Sequence, residues 1–491
     1  MKARNSLMGF NALSFKVLVL ISVVLMVGCK RGGSLTLAPP SPANSTTATG
    51  VQTSYADVVA RVSPAVVTIR TEKRVRAPQQ FPFMDDPFFR QFFGDRTSQP
   101  REEIERALGS GVIVTADGYI LTNHHVIDGA EEIKVELNDG RTLDAKVIGS
   151  DPPSDLAVLK INTTNLPVLN PGDSDRVRVG DVVLAIGNPL GIGKTVTMGI
   201  ISAKGRQTGL STGSFEDFLQ TDAPINRGNS GGALVDTSGE LIGINSQIVS
   251  PSGGSIGIGF AIPSNMARNV LEQLVKTGKV RRGQLGVTVQ KVSSDIAASL
   301  ELKEAHGVIV SQVQPGSAAQ QAGIERGDVI TAFNGQEVID PNTFRNQVAS
   351  TPPGNSVTLS IQRGGSTKEV HATLGEFTAE KSEDQSSNSE GPGNGKKGKL
   401  GLDVQPLTPD IAGQLGIDKA TQGVVVTQVD PSGPAADAGI TQGDVIEQVN
   451  QQTVRSAADV EAALRRSGTR PALLLVNHRG TTIFITVSRQ Q

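Results

Sequence analysis

The chain has 491 residues, a formal net charge of −2, and 55 glycines against 3% aromatic residues with no tryptophan. At roughly 100–200 residues per domain this is room for about three domains with filled cores, and the near-neutral charge offers no electrostatic footprint for nucleic acid or an anionic membrane surface. Abundant glycine with few aromatics suits many short strands and turns better than long helices.

At the N-terminus, Lys2, Arg4 and Lys16 precede an apolar run from Val17 to Gly28. The run is short for a membrane span and right for a signal-peptide core. It closes on Met26-Val27-Gly28-Cys29, which resembles a bacterial lipobox with Met where Leu is usual. The resemblance implies a lipoprotein-type signal peptide over 1–28, cleavage before Cys29 and lipidation of its sulfur. The other reading is an uncleaved anchor with an incidental cysteine. Either way the bulk of the chain is exported. Cys29 is the only cysteine, so no intramolecular disulfide is available. Lys30 stands where an Asp would favour inner-membrane retention, which points to the outer membrane. Residues 29–53 are polar and rich in Pro, Ser and Thr and read as a flexible tether.

Residues 54–270 form a series of short strands, among them Val66–Ile69, Gly111–Val114, Ile133–Leu137 and Asp181–Ile186. Turns such as Ala116-Asp117-Gly118 and Asn138-Asp139-Gly140 punctuate them, a spacing that suggests antiparallel barrels or a sandwich. Between Lys73 and Arg106 the pattern breaks into an irregular insertion holding Phe81, Phe83, Phe88, Phe89, Phe92 and Phe93. So many rings are hard to leave in water. The loop either folds back on its own domain or meets another subunit.

The remainder repeats. Gly283-Gln284-Leu285-Gly286-Val287 recurs 115 residues on as Gly398-Lys399-Leu400-Gly401-Leu402, and Gln321–Ile330 recurs 116 residues on as Asp437–Ile446. Two collinear matches at nearly one offset mean two copies of one domain, over 283–375 and 398–489. Residues 376–397, almost without apolar side chains, read as a disordered linker. The first copy follows the strand-rich region through the short segment Val275–Arg282. The second hangs on the long linker, so its mechanical coupling to that region is expected to be dilute.

The chemistry centres on Gly228-Asn229-Ser230-Gly231-Gly232. A serine hydroxyl needs a base to take its proton and backbone N–H groups aimed at the developing oxyanion. Glycines on both sides permit the tight turn that points those groups inward. Of the five histidines, only His124 and His125 fall in the strand-rich region, just after a strand ending near Leu121. Taken as a continuation of that strand, they point to opposite faces. Asp155, at the mouth of the apolar strand Leu156–Leu159, is the acid that can orient an imidazole. Gly187–Thr195 fails as a phosphate-binding loop, because Asn188 stands where the motif needs Gly. Neither His-Glu-x-x-His nor a cysteine cluster is present, so no metal site is expected.

From Tyr55 to the C-terminus the chain resembles the HtrA/Deg family of chymotrypsin-fold proteases. Thr122-Asn123-His124-His125-Val126, Ser154-Asp155-Leu156-Ala157 and Gly228-Asn229-Ser230-Gly231-Gly232 meet its motifs in the order His, Asp, Ser. The resemblance implies a mainly β chain: a trypsin-like double β-barrel over 54–270, followed by two PDZ domains. It makes Ser230 the nucleophile, His125 the base and Asp155 its orienting acid, and leaves His124 a bystander. The N–H groups of Gly228 and Ser230 form the oxyanion hole, with Asn229 assisting. Asn229 is neutral and cannot pair with a freed N-terminal amine. The resemblance implies that activation depends instead on ordering of loops near the site, with 204–216 and 247–255 as the candidates. In the PDZ copies, Gln284-Leu285-Gly286-Val287 and Lys399-Leu400-Gly401-Leu402 resemble carboxylate-binding loops, which capture a peptide C-terminus by strand addition. The plainer reading is that they are strand-opening turns. The resemblance further implies an enzyme without cofactor that cuts unfolded or damaged envelope proteins after small aliphatic residues. It implies a homo-trimer or larger assembly in the periplasm, touching the membrane only through a lipid and binding no nucleic acid. The rival reading is a binding protein or holdase chaperone that keeps the protease fold as scaffold.

Overall fold

The computed structural model describes residues 54–76, 102–188, 193–209, 214–248, 250, 254–378, 400–466, 470–478 and 480–488. The signal-peptide and lipidation reading at Cys29, the phenylalanine-rich insertion and Lys399 lie outside them.

Helix α1 (Ala56–Val62) leads into two closed six-stranded barrels. The first comprises β1 (Val66–Arg76), β2 (Glu102–Ile113), β3 (Tyr119–Thr122), β4 (Glu132–Glu136), β5 (Thr142–Asp151) and β6 (Leu156–Ile161), closing in the order β1-β2-β3-β6-β5-β4. The second comprises β7 (Val182–Gly187), β8 (Thr195–Arg206), β9 (Phe218–Thr221), β10 (Ala233–Asp236), β11 (Leu241–Ile248) and β12 (Gly259–Pro263), closing as β10-β11-β12-β9-β8-β7.

Several strands read as continuous apolar runs because both of their faces are buried. Along β7, Val183 and Ala185 point into the second barrel, while Leu184 and Ile186 pack in the seam between barrels. Along β1, Val67 and Ile69 fill the first barrel and Val66 enters the same seam. The two-residue period of a strand produces this partition. Leu121, Leu156 and Ala233, next to the segments that carry His125, Asp155 and Ser230, all belong to this seam, so its packing sets the relative positions of those segments.

After β3 the chain turns into one helical turn, α2 (His124–Ile127). The two histidines are therefore not on an extended strand. They lie about 100° apart around a helix rather than on opposite faces. Helix α3 (Ser264–Thr277) closes the two-barrel unit, burying Ala267, Val270 and Leu274 in the seam. A boundary at 270 would cut this helix, which runs on to Thr277, in half. Gly149 on β5 lets the helix approach, since a Cβ there would lie 2.9 Å from both Leu274 Cδ2 and the Gly278 carbonyl.

The two repeats share one topology. The first holds β13 (Gly283–Gln284), β14 (Val287–Lys291), β15 (Val308–Val313), β16 (Val329–Phe333), β17 (Gln336–Glu337), β18 (Ser356–Arg363), β19 (Ser366–Thr373) and β20 (Gly375–Glu376). Its helices are α4 (Ser294–Ser299), α5 (Ala318–Gln321) and α6 (Pro341–Ser350). The sheet runs β14-β15-β16-β18-β19, with β17 on β16, and β13 pairs with β20. The second copy has β21 (Leu402–Pro406), β22 (Val424–Val429), β23 (Val445–Val449), β24 (Gln452–Thr453), β25 (Ala472–His478) and β26 (Thr481–Val487) in the matching order β21-β22-β23-β25-β26. Helices α7 (Pro409–Gln414), α8 (Pro434–Asp437) and α9 (Ala457–Arg466) complete it.

Two sequence expectations change here. The segment after the first copy does not open at 376. Glu376 is in β20, and the Phe377 N–H donates to the Arg282 carbonyl at 2.8 Å. Nor does the second copy hang free on its linker. Leu473, Leu475 and Phe484 share a buried cluster with Val292, Ile296, Ile309 and Val329 of the first copy. Gln290 bonds the Phe484 backbone in both directions, at 2.8 and 2.7 Å, and Arg326 pairs with the largely buried Glu447 at 2.6 Å. The linker composition could not reveal this, because the contact is made by alternate residues of strands far along the chain.

Candidate active site

Asp155 sits in the left-handed region (φ 54°) at the end of a single 3-10 turn, Pro152–Ser154. The Asp151 side chain accepts from the Ser154 N–H, and the Asp155 N–H returns to the Pro152 carbonyl at 3.1 Å. This tight turn aims both the carbonyl and the carboxylate of Asp155 at α2. The carbonyl accepts from the His124 N–H at 3.1 Å and from Asn123 Nδ2 at 2.9 Å. The carboxylate accepts from the His125 N–H at 3.0 Å and lies 2.9 and 2.8 Å from His125 Nδ1. With Nδ1 protonated and donating to Asp155, Nε2 is left as the basic nitrogen.

A residue that sequence reading missed completes this arrangement. Ser246 on β11 donates its hydroxyl to Asp155 Oδ2 at 2.8 Å, and its backbone carbonyl accepts the Ser230 hydroxyl at 2.9 Å. The available signal was the polar run Asn245-Ser246-Gln247 after the apolar start of this strand; in the structure Asn245 and Ser246 are wholly buried. Burial of that kind is expensive unless partners exist. Among the described residues no hydrogen bond joins Ser230 to His125. Ser230, His125 and Asp155 nevertheless line one cleft of about 750 Å³, together with Ser246, Ile225 and Phe215.

The loop carrying Ser230 is clamped from the first barrel. Buried Ser110 on β2 donates from its N–H to the Ser230 carbonyl (2.8 Å) and from its hydroxyl to the Gly228 carbonyl (2.6 Å). Gly231 is obligatory: its φ is 81°, and a Cβ would run into the Ser110 carbonyl and the Thr122 hydroxyl. Gly228 also has positive φ (96°). Asn229 is where the structure departs from expectation. Its N–H is engaged by the Asn226 carbonyl at 2.9 Å, and the residue is 1% exposed. It is therefore not an oxyanion donor here, and the candidate pair narrows to the N–H groups of Gly228 and Ser230. His124 lines the cleft, with Nε2 3.7 Å from Asp128 and Nδ1 buried without a partner among the described residues.

The first repeat reaches this site through residues 214–217. Phe215 lines both the catalytic cleft and the groove beside Gln284, Leu285, Gly286 and Val287. Its N–H donates to the Pro153 carbonyl at 2.7 Å, two residues before Asp155. Its ring takes the guanidiniums of Arg282 and Arg345 at 4.5 and 4.4 Å and the edge of Phe377 at 5.5 Å. Arg282 is fixed by a buried pair with Asp151. Asn342 and Asn346 on α6 donate to the Glu216 carbonyl at 2.9 and 2.8 Å. Glu216 in turn accepts from the Thr208 N–H at 2.6 Å, and Thr208 accepts from Gln247, the neighbour of Ser246, at 3.1 Å. Asp217 closes the set. Burial first, then Asp175 and Asp340, push its carboxyl up to about 6 against the pull of Lys204.

In the second copy, Leu400, Gly401 and Leu402 occupy the matching loop, with Gly401 at φ 74° against 79° for Gly286. A left-handed glycine directly precedes the strand at both positions, and a groove along β14 is present beside the first. Among the described residues no group of three or more His, Cys, Asp or Glu is arranged to hold a metal.

Comparison with known proteins follows the same division. Residues 109–244 match the trypsin-like peptidase domain model, and 283–374 and 425–477 each match a PDZ domain model. The chain is 41% identical over 457 residues to a probable periplasmic serine endoprotease, DegP-like, of Chlamydia muridarum, covering 90% of both. It is 43% identical over 476 residues to the protein of the same description in Brucella suis, again covering 90% of both. Among solved structures, the HtrA-type protease AlgW with decapeptide aligns at TM-score 0.53 and 49% identity, covering 67% of this chain and 100% of that one. The same protease with tripeptide aligns at TM-score 0.54 and 45% identity, covering 67% and 99%.

Proposed function

Because the chain belongs to the HtrA/DegP-like family of serine endoproteases, with a trypsin-like domain and two PDZ domains, we propose that it is a periplasmic enzyme degrading unfolded or damaged envelope proteins through an acyl-enzyme. Ser230 attacks the scissile carbonyl, His125 takes its proton and later returns it to the leaving amine, and Asp155 holds the imidazole and balances its charge. The N–H groups of Gly228 and Ser230 receive the oxyanion. The observation that carries this reading is the Asp155 carboxylate, gripped by His125 through two N–H groups and by Ser246, in the same cleft as Ser230. To react, the Ser230 hydroxyl must leave the Ser246 carbonyl and donate to His125 across the shared cleft. Cleavage falls after small aliphatic residues, the smallest assembly is a homo-trimer, and chaperone activity coexists with proteolysis. Cys29 carries a lipid that tethers the enzyme to the envelope, with the outer membrane favoured. Fatty-acid label should appear on the wild-type chain and vanish in Cys29→Ser; equal label in both removes the anchor from this reading.

Regulation belongs to the first PDZ copy, the one whose groove shares Phe215 with the catalytic cleft. A captured C-terminal peptide shifts the enzyme toward its active state to the extent that it binds that state more tightly. A peptide with an apolar last residue should speed cleavage of a small chromogenic substrate. Gly286→Val should remove most of that stimulation, since Gly286 has positive φ and a side chain there collides with Ser317. Gly401→Val should remove little. Stimulation lost in the Gly401 variant and kept in the Gly286 variant would assign regulation to the wrong copy.

A further inference from the structure

Ser110 directs its polar groups to the segments that flank the chemistry. It is wholly buried on β2, in the stretch Ala107–Ile113, where it is the only residue with a polar side chain. A hydroxyl in such a place is costly unless it is bonded. The Ser110 N–H donates to the Ser230 carbonyl, and the Ser110 carbonyl accepts from the hydroxyl of Thr122, which ends β3 just ahead of Asn123 and the two histidines. The Ser110 hydroxyl has a separate task. It donates to the Gly228 carbonyl at 2.6 Å and accepts from the Asn188 N–H at 2.9 Å. Thr68, the cross-strand partner of Ser110, accepts from Asn188 Nδ2 at 2.7 Å and holds that residue in place. The stretch Gly187–Thr195, which fails as a phosphate loop, thus has a use for the asparagine that spoils the motif.

The Gly228 carbonyl belongs to the peptide that joins Gly228 to Asn229. This peptide lies between the two N–H groups that receive the oxyanion, those of Gly228 and Ser230. Its other end is held as well, by the Asn229 N–H on the Asn226 carbonyl at 2.9 Å. Gly228 has φ 96°, and a glycine backbone turns more freely than any other. Hydrogen bonds at the two ends of the peptide hold the two donors at one angle. Without the Ser110 hydroxyl the buried Gly228 carbonyl loses its partner, and the peptide gains by turning toward another donor. A misaimed donor costs most in the transition state, where the charge on the oxygen is greatest. Ser110 does not line the cleft, and among the described residues it bonds to neither His125 nor Asp155.

We infer that Ser110 is a positioning residue for the oxyanion hole, acting through the Gly228 carbonyl. The inference rests on the serine-protease reading above. The test compares the full-length wild type with Ser110→Ala on a peptide p-nitroanilide with valine before the scissile bond, and on the boronic-acid peptide of the same sequence. In Ser110→Ala, kcat should fall about thirtyfold with KM within about twofold, short of the loss of a whole oxyanion donor. The boronate, whose tetrahedral adduct on Ser230 sets an oxygen in the hole, should bind more weakly by a similar factor. The acid limb of the kcat/KM profile against pH, which reports the base, should stay in place. Ser110→Cys, close in size and carrying a weak donor, should fall between the two in kcat, and it decides the matter if the alanine variant unfolds. An unchanged kcat overturns the inference, as does a loss carried by KM or a displaced pH profile. A wild-type chain that neither cleaves the anilide nor binds the boronate overturns the protease reading and this inference with it.

Discussion

Replacing Ser230 by alanine lowers the rate of casein hydrolysis by at least about ten-thousand-fold, the scale of losing a nucleophile that works as one unit with its base. Stability should hardly change. Among the described residues the hydroxyl makes a single hydrogen bond, to the Ser246 carbonyl, and the loop is held by backbone groups: the Ser110 N–H on the Ser230 carbonyl and the Gly231 N–H on the Asn245 carbonyl. A methyl group fits the same space, so the melting temperature should stay within about 2 °C. Casein digestion and a thermal scan on the same preparation separate the two effects. Turnover near that of the wild type would move the nucleophile elsewhere. A large drop in melting temperature would mean that lost activity reports lost structure. The same variant tests the rival reading: suppression of aggregation that survives without hydrolysis would assign a chaperone role to the remaining protein.

His125→Ala should be as inactive as the serine variant, whereas His124→Ala should keep activity within about tenfold of wild type. Both side chains line the cleft, so proximity does not separate them. Partners do. His125 Nδ1 faces the Asp155 carboxylate, which fixes the tautomer a base needs. His124 contributes to the site through its backbone: its N–H holds the Asp155 carbonyl, and alanine keeps that N–H. Its ring has a buried nitrogen without a partner and a long 3.7 Å approach to exposed Asp128, so little is lost with it. Initial rates for the two variants on one chromogenic peptide decide the matter. An inactive His124 variant beside an active His125 variant would shift the base by one residue.

Much of this protein was legible in its sequence because the information is local. Glycines around Ser230, a histidine after an apolar strand and an aspartate before another are short-range patterns, and their order along the chain matches one family. The repeat offsets exposed two copies of one domain, and the observed strand orders agree. Errors arose where a local rule was applied beyond its reach. His124 and His125 were placed on a strand, yet the Asp155 carbonyl draws the His124 N–H into a helical turn. Asn229 was offered as an oxyanion donor, but the reverse turn at Asn226 uses its N–H.

The tertiary structure alone decided how the parts are joined. Ser246 lies 91 residues from Asp155, and nothing in its own neighbourhood names that partner. Phe215 meets Arg282, Arg345 and Phe377, and the four residues are spread over 162 positions of the chain. The second copy docks on the first through Leu473, Leu475 and Phe484, which read in sequence as ordinary strand residues. Periodicity and motif report what each segment does with its own neighbours. Which buried face meets which is settled by long-range packing, where many apolar surfaces compete for the same partners and only the assembled seam distinguishes among them.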